Sequence, residues 1–157
     1  ISLFIQPLLT IYFGRNIFRP KLSGSSWARL TALGSYREVG RACHLITTNE
    51  SRVMIDVGAN IADTANHLPF FNAPEALPLE KIDAVVLTHA HLDHAGMLPL
   101  LFKYGYKGPV YCTPPTRDMM LILQSDYLKV AGMEGKSPPY EMEHVREAMK
   151  HVIDVSW

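Results

Sequence analysis

The chain has 157 residues, 48% of them hydrophobic and 19% charged, which is enough apolar material for one packed core and excludes intrinsic disorder or a fibrous repeat. Fifteen Lys and Arg balance fifteen Asp and Glu, so no overall basic footprint announces nucleic acid, and any such case rests on a local site. The balance is uneven: the first 52 residues hold seven Lys or Arg against Glu38 and Glu50.

The opening ISLFIQPLLTIYF is apolar but carries Gln6 and Pro7. It is shorter than the roughly 20 residues a membrane helix needs and lacks the basic start of a signal peptide. No membrane partner is expected. Cys43 and Cys112 form no CxxC pair, which favours a reducing, cytoplasmic setting and a buried apolar role for each. The chain begins at Ile1 and stops at Trp157 inside the apolar alternation Ile153, Val155, Trp157, the mark of a segment cut from a longer protein.

In chain order, PKLSGSS (Pro20 to Ser26) is turn-rich and divides residues 1–26, an upstream tail and linker, from residues 27–157. Three short β-type runs come next, Trp27 to Leu33, Ala42 to Thr48 and Val53 to Val57, predicted as an antiparallel meander. Residues 58–80 follow neither period and contain three prolines, so they are predicted as a long loop with one short helical turn. From Ile82 the pattern becomes α/β. IDAVVLT reads as a strand buried on both faces, and AGMLPLLFKYG as a short helix stopped by Gly105. Pro109 to Cys112 is a further strand, and Thr113 or Thr116 caps a helix with the stripe Met120, Leu123, Tyr127, Ala131. Ser137, before Pro138, caps a last helix carrying Met142, Val145, Met149 and Val152 on one side. Both stripes, methionines included, are read as core packing.

The chemistry concentrates where the Ile82 strand gives out. There the sequence reads His89, Ala90, His91, Leu92, Asp93, His94, four ligand-type side chains in six positions. In extended backbone, residues two apart point the same way, so His89 and His91 can approach one cation together. Asp93 and His94 follow at the turn into the helix and can face a second. Imidazole and carboxylate suit zinc, and paired metals bind the oxygens at both ends of a hydrolytic displacement. The competing reading is a solvated His-rich loop or a helix start capped by Asp93. The position favours a site, because strand ends are where α/β sheets build them.

HAHLDH is an instance of HxHxDH and resembles the signature of the metallo-β-lactamase fold. ALGSYREVGRAC, ending at Cys43, resembles the first hairpin of the nucleic-acid-processing β-CASP branch of that fold. Together with SRVMIDVG, YGYKGPVYCTPPTRD and LILQSDYLKV, the chain is similar to archaeal relatives of the cleavage and polyadenylation specificity factor nuclease. Ser35 and Val57 depart from that pattern, where Gly and Cys are usual, and neither is a ligand. The resemblance implies an αββα sandwich of which residues 27–157 are the N-terminal half, with residues 1–26 following an RNA-binding KH region. It also implies two Zn2+ ions in the complete protein, His89 and His91 on one and Asp93 and His94 on the other, with a water between them attacking an RNA phosphodiester. Asp56 matches the family's first motif aspartate, which orients the metal site from behind; an ordinary strand-end Asp satisfying turn amides is its competing role.

The later ligands of such a site find no match here, so this segment alone is expected to bind metal weakly and cleave little. His144 and His151 border an apolar stripe, while His44 and His67 read as structural or solvated. Arg37, Arg41, Lys103, Lys107 and Arg117 are read as solvated surface rather than phosphate contacts. Tyr104, Tyr106 and Tyr111 fit a turn entering a strand as well as they fit base stacking. The leading function is therefore a zinc-dependent ribonuclease acting on RNA 3′ ends or transcripts, with RNA as partner and room for a homo-oligomer of the complete protein. The alternatives are another hydrolase of the fold, such as a thiolester hydrolase or lactonase, and an inactive RNA-binding scaffold. A bacterial RNase J type enzyme would differ within the histidine motif.

Overall fold

The computed structural model describes residues 3–4, 27–62 and 67–156; most of the expected upstream tail and linker, and Trp157, lie outside the described residues. Among the described residues seven strands form one sheet in sequential order: β1 (Leu3–Phe4), β2 (Ala28–Ala32), β3 (His44–Thr48), β4 (Arg52–Ile55), β5 (Ala84–Val86), β6 (Val110–Cys112) and β7 (Val152–Asp154). Strands β2 to β4 pair antiparallel, as predicted for the meander; β1, from the expected upstream tail, adds antiparallel to β2, and β4 to β7 pair parallel. The change of direction follows from connection length. Residues 49–51 make a tight turn between β3 and β4, closed by Thr48 N–H donating to the Ser51 carbonyl at 2.8 Å. Each parallel pair needs a longer crossover.

Those crossovers carry the helices. Between β5 and β6 lie α1 (Leu92–Ala95) and α2 (Leu98–Lys103), and between β6 and β7 lie α3 (Pro114–Met133) and α4 (Met142–Lys150). The helix expected between Ala95 and Gly105 is α2, and a separate short turn, α1, precedes it. Pro99 occupies the first turn of α2, where its missing N–H costs nothing, and Gly105 at φ +96° follows its end. Thr113 precedes α3, its hydroxyl 3.0 Å from that of Thr116. The cap of the last helix falls at Glu141 rather than Ser137: Glu141 and His144 form a reciprocal capping box, with the Glu141 N–H donating to His144 Nδ1 at 3.1 Å. Glu is a less common cap than Asp, Asn or Ser, and it serves here because His144 reciprocates.

The core lies between the sheet and these helices. The cross-strand row Leu45, Met54, Val85, Val110 is entirely buried, and Leu98, Leu100, Leu101, Met120, Tyr140, Val145 and Ala148 close over it. The alternate row, Ile46, Val53, Ile55, Ala84, Val86 and Tyr111, is only half-buried among the described residues. The expectation that the Ile82 strand is buried on both faces is therefore corrected to one. Its apolar second face is what a two-sheet sandwich would cover with another layer.

The α3 stripe is also revised. Thr116, Met120, Gln124 and Ala131 are its buried positions, while Leu123 and Tyr127 are half-buried. Gln124 takes the core place predicted for Leu123 because its Nε2 donates to the Ala95 carbonyl at 2.8 Å, and Tyr140 donates its hydroxyl to the Gly96 carbonyl at 2.7 Å. Both bonds tie down the C-terminal end of α1. Replacing Tyr140 by Phe leaves the shape intact and the Gly96 carbonyl without this donor, so unfolding free energy should drop by about 1–2 kcal/mol in a urea titration.

Candidate metal centre

Strands β4 and β5 run parallel in the register Met54 to Val85 and Ile55 to Val86, so their C-terminal ends finish side by side. Asp56 leaves β4 just there, its N–H donating to the Val86 carbonyl at 2.9 Å. Thr88 to His91 leave β5 beside it, and Asp93 and His94 sit in the first turn of α1. The site thus occupies the carboxyl edge of the parallel half of the sheet.

A four-residue helix has no stability of its own. Here α1 is held by backbone bonds from two other segments. Ala59 N–H donates to the Leu92 carbonyl at 2.8 Å, Ala42 N–H to that of Asp93 at 2.9 Å, and Val57 N–H to that of His94 at 2.6 Å. Gly58 N–H closes the weave onto the Ala42 carbonyl at 2.8 Å, and Met97 N–H bonds the Val57 carbonyl at 2.7 Å. Gly58 is required by this close approach: a Cβ there would lie 1.7 Å from the Asp93 carbonyl oxygen. Sequence reasoning did not find that role, although a Gly directly after a candidate motif residue was the available signal.

The four motif side chains converge. Ligand atoms of His89, His91 and Asp93 all lie within 4.8 Å of one another. The His89 ring is 4.9 Å from that of His91 and 4.1 Å from that of His94, centroid to centroid. His94 Nε2 stands 3.6 Å from Asp93 Oδ2, so Asp93 faces both histidine groups. Donors sharing one ion at about 2.1 Å can be at most about 4.2 Å apart, so this cluster, within 4.8 Å, is slightly wider than a loaded site. Three imidazoles and a carboxylate, partly open to solvent, fit a divalent transition metal.

Asp56 lies behind the cluster, 3% exposed, with its backbone in the left-handed region at φ +59°. That conformation costs an ordinary side chain about 1–2 kcal/mol and is tolerated best by Asn and Asp. Its carboxylate accepts the Thr88 N–H at 2.8 Å and the Thr88 hydroxyl at 2.9–3.0 Å, and its Oδ2 lies 2.9 Å from His94 Nδ1. A carboxylate only accepts, so His94 Nδ1 is the donor in this contact and Nε2 is the ring nitrogen turned toward Asp93. Asp56 therefore satisfies turn donors, and its carboxylate also stands against a motif histidine.

Cys43 and Cys112 are buried free thiols, as expected. Burial, and then the Asp56 charge, push the Cys43 thiol well above its usual range, so it offers no thiolate to the site. Burial, followed by Asp154, pushes Cys112 up to about 11. His144 serves the α4 cap, His151 Nδ1 lies 2.9 Å from the Glu147 carbonyl with its ring against Phe102, and His44 packs edge-on to Tyr36. His67 gives its carbonyl to the Asn60 N–H.

Among the basic residues, Arg37 and Lys107 are exposed, as expected. Arg41 is not: it is buried, paired with Glu38 at 2.5 Å, bonded to the Leu68 carbonyl and laid over the Phe70 ring. It pins the loop of residues 35–41 to the segment around Phe70. Lys103 binds the Pro139 carbonyl, and Arg117 bridges Asp118 and Asp154. Tyr106 is a core residue, its hydroxyl on the Pro109 carbonyl, whereas Tyr104 is exposed.

A sheet edge that presents HxHxDH from a strand end into a clamped helical turn, backed by an aspartate from the neighbouring strand, defines a class of protein. A family profile, the Metallo-beta-lactamase superfamily, matches residues 36–146, and the chain belongs to that superfamily. More particularly, it is 55% identical over 144 residues to the transcription termination factor FttA of Methanosarcina mazei, covering 92% of this chain and 23% of that protein. The protein of the same name in Methanocaldococcus jannaschii is 49% identical over 145 residues, again 92% and 23%, and that of Lokiarchaeum 42% over 152 residues, 97% and 24%. The chain thus spans about a quarter of the length of these curated relatives. Both findings agree with the resemblance drawn from the motifs, to the metallo-β-lactamase fold and to archaeal relatives in its β-CASP branch. No helix among the described residues is long and apolar enough to cross a membrane.

Proposed function

We propose that this chain is the N-terminal, ligand-bearing part of a zinc-dependent β-CASP ribonuclease that hydrolyses RNA phosphodiesters in transcript cleavage or 3′-end processing, in the cytoplasm. The observation that carries the reading is the convergence of His89, His91 and Asp93 within 4.8 Å, beside a His94 whose Nδ1 is taken by Asp56. In this reading His89 and His91 hold one zinc and Asp93 and His94 the other, with residues from elsewhere in the complete protein finishing both spheres. Zinc, when bound, supplies an acidified water and positive charge beside a phosphate ester. The chain's own contribution is order. Asp56 keeps the His94 proton away from the metal side, and the backbone weave through Gly58 holds Asp93 and His94 at a set distance from the histidines of the β5 end. Preorganised donors of this kind avoid the cost of assembling the site during each turnover. The RNA substrate class is supported by the termination-factor names of the relatives.

The test uses the intact protein that contains this segment, with Asp93 and His94 replaced together by Ala. Elemental analysis should show loss of at least one zinc per chain, and cleavage of a labelled transcript should fall by at least about 100-fold. Retention of both would remove the site. Zinc-dependent turnover of a thiolester or lactone with RNA left intact would instead place the protein among the other hydrolases of the fold.

A further inference from the structure

We propose that Thr88 is a positioning residue that extends the reach of Asp56 to His89, so that one buried carboxylate sets the tautomer and ring orientation of two motif histidines at once. The proposal rests on the metal-centre reading above. The Thr88 hydroxyl lies 3.0 and 2.9 Å from the two Asp56 carboxylate oxygens and 3.0 Å from His89 Nδ1. A hydroxyl has one hydrogen to give and lone pairs to receive, and the carboxylate has only lone pairs.

The direction of the chain of bonds follows from that count. Were the hydroxyl hydrogen spent on His89 Nδ1, the oxygen would face two carboxylate oxygens at hydrogen-bond distance with no hydrogen between them. The hydrogen therefore points to Asp56, and the hydroxyl oxygen accepts from His89 Nδ1–H. His89 is left with its lone pair on Nε2, as His94 is by its direct bond to Asp56 Oδ2. Thr88 is itself well fixed, because its N–H donates to Asp56 Oδ1 at 2.8 Å. Among the described residues His91 makes no hydrogen bond to Asp56 or Thr88, so the relay distinguishes His89 and His94 as the pair with preset tautomers.

The experiment compares Thr88→Val, which keeps shape and β-branching but lacks the hydroxyl, with Thr88→Ser, which keeps the hydroxyl. Val preserves the backbone bond to Asp56 but removes the hydroxyl donor to its buried carboxylate, so both variants should fold, Thr88→Ser with a wild-type circular dichroism melt and Thr88→Val with a melt lowered by a few degrees. In the metal-free intact protein, zinc affinity is read by competition with a chromophoric chelator, and ligand orientation by the visible absorption of added cobalt(II). Thr88→Val should bind zinc about 10- to 100-fold more weakly with an altered cobalt spectrum, and Thr88→Ser should stay within about 3-fold of wild type. Equal affinity and spectrum for Thr88→Val overturns the Thr88 role and leaves the metal centre standing. Equal loss in Thr88→Ser also overturns it, since the hydroxyl would then not be the operative group. A wild-type protein that binds neither metal overturns the metal-centre reading, and the Thr88 role with it.

Discussion

Replacing Gly58 by Ala should dismantle the ligand turn. The new methyl would lie 1.7 Å from the Asp93 carbonyl oxygen and 2.2 Å from its carbonyl carbon, both backbone atoms with no rotamer by which to escape. Either the 57–59 segment or α1 must move away. Whichever moves, the bonds of Val57 to His94, Ala59 to Leu92 and Ala42 to Asp93 are strained together, because they form one weave. We expect a loss of about 3 kcal/mol or more in urea unfolding, together with loss of zinc binding. Gly132 supplies the control. It lies in α3 with nothing within 4 Å of a built Cβ, so Ala there should be neutral or stabilise by up to about 1 kcal/mol. A Gly58→Ala protein that melted and bound metal like the Gly132→Ala protein would show that the weave does not govern the site.

Replacing Asp56 by Asn should separate metal binding from folding. Asn tolerates the left-handed backbone at φ +59° and its amide oxygen can still accept from the Thr88 N–H and hydroxyl. Its NH2 group then faces His94 Nδ1, where Asp56 offered an acceptor. To receive that donor His94 must carry its proton on Nε2, the nitrogen 3.6 Å from Asp93 Oδ2 that is needed as a ligand. Zinc affinity should therefore fall by about 10- to 100-fold while the urea midpoint changes little. Asp56→Ala should lose both, because Ala pays the backbone cost and leaves the Thr88 N–H without its acceptor. Chelator competition and urea titration on the two variants distinguish the cases: equal zinc affinity for wild type and Asp56→Asn would overturn the tautomer argument.

Much of this centre was legible before any coordinates, since ligand type and spacing are written locally. His89 and His91 share a side because extended backbone alternates, and Asp93 and His94 follow at a turn because the apolar run ends there. The antiparallel meander, the change to an α/β pattern at Ile82 and the buried thiols were readable for the same reason. Where local patterns misled, a distant group had intervened. Gln124 entered the core because the Ala95 carbonyl needed a donor, and Arg41 left the surface because Glu38, the Leu68 carbonyl and Phe70 enclosed it. Ser137 lost the cap to Glu141, because His144 three residues on completes a reciprocal capping box there.

By itself the amino-acid order determined the donor set, the strand that ends at it and the turn that follows, all consequences of backbone periodicity over a few residues. Only the tertiary structure decided that Gly58 must lack a side chain and that Asp56, Thr88, His89 and His94 meet. Those are contacts between segments far apart in the chain. They exist because β4 and β5 pair in one parallel register, and no local pattern encodes the register of strands joined by a long crossover.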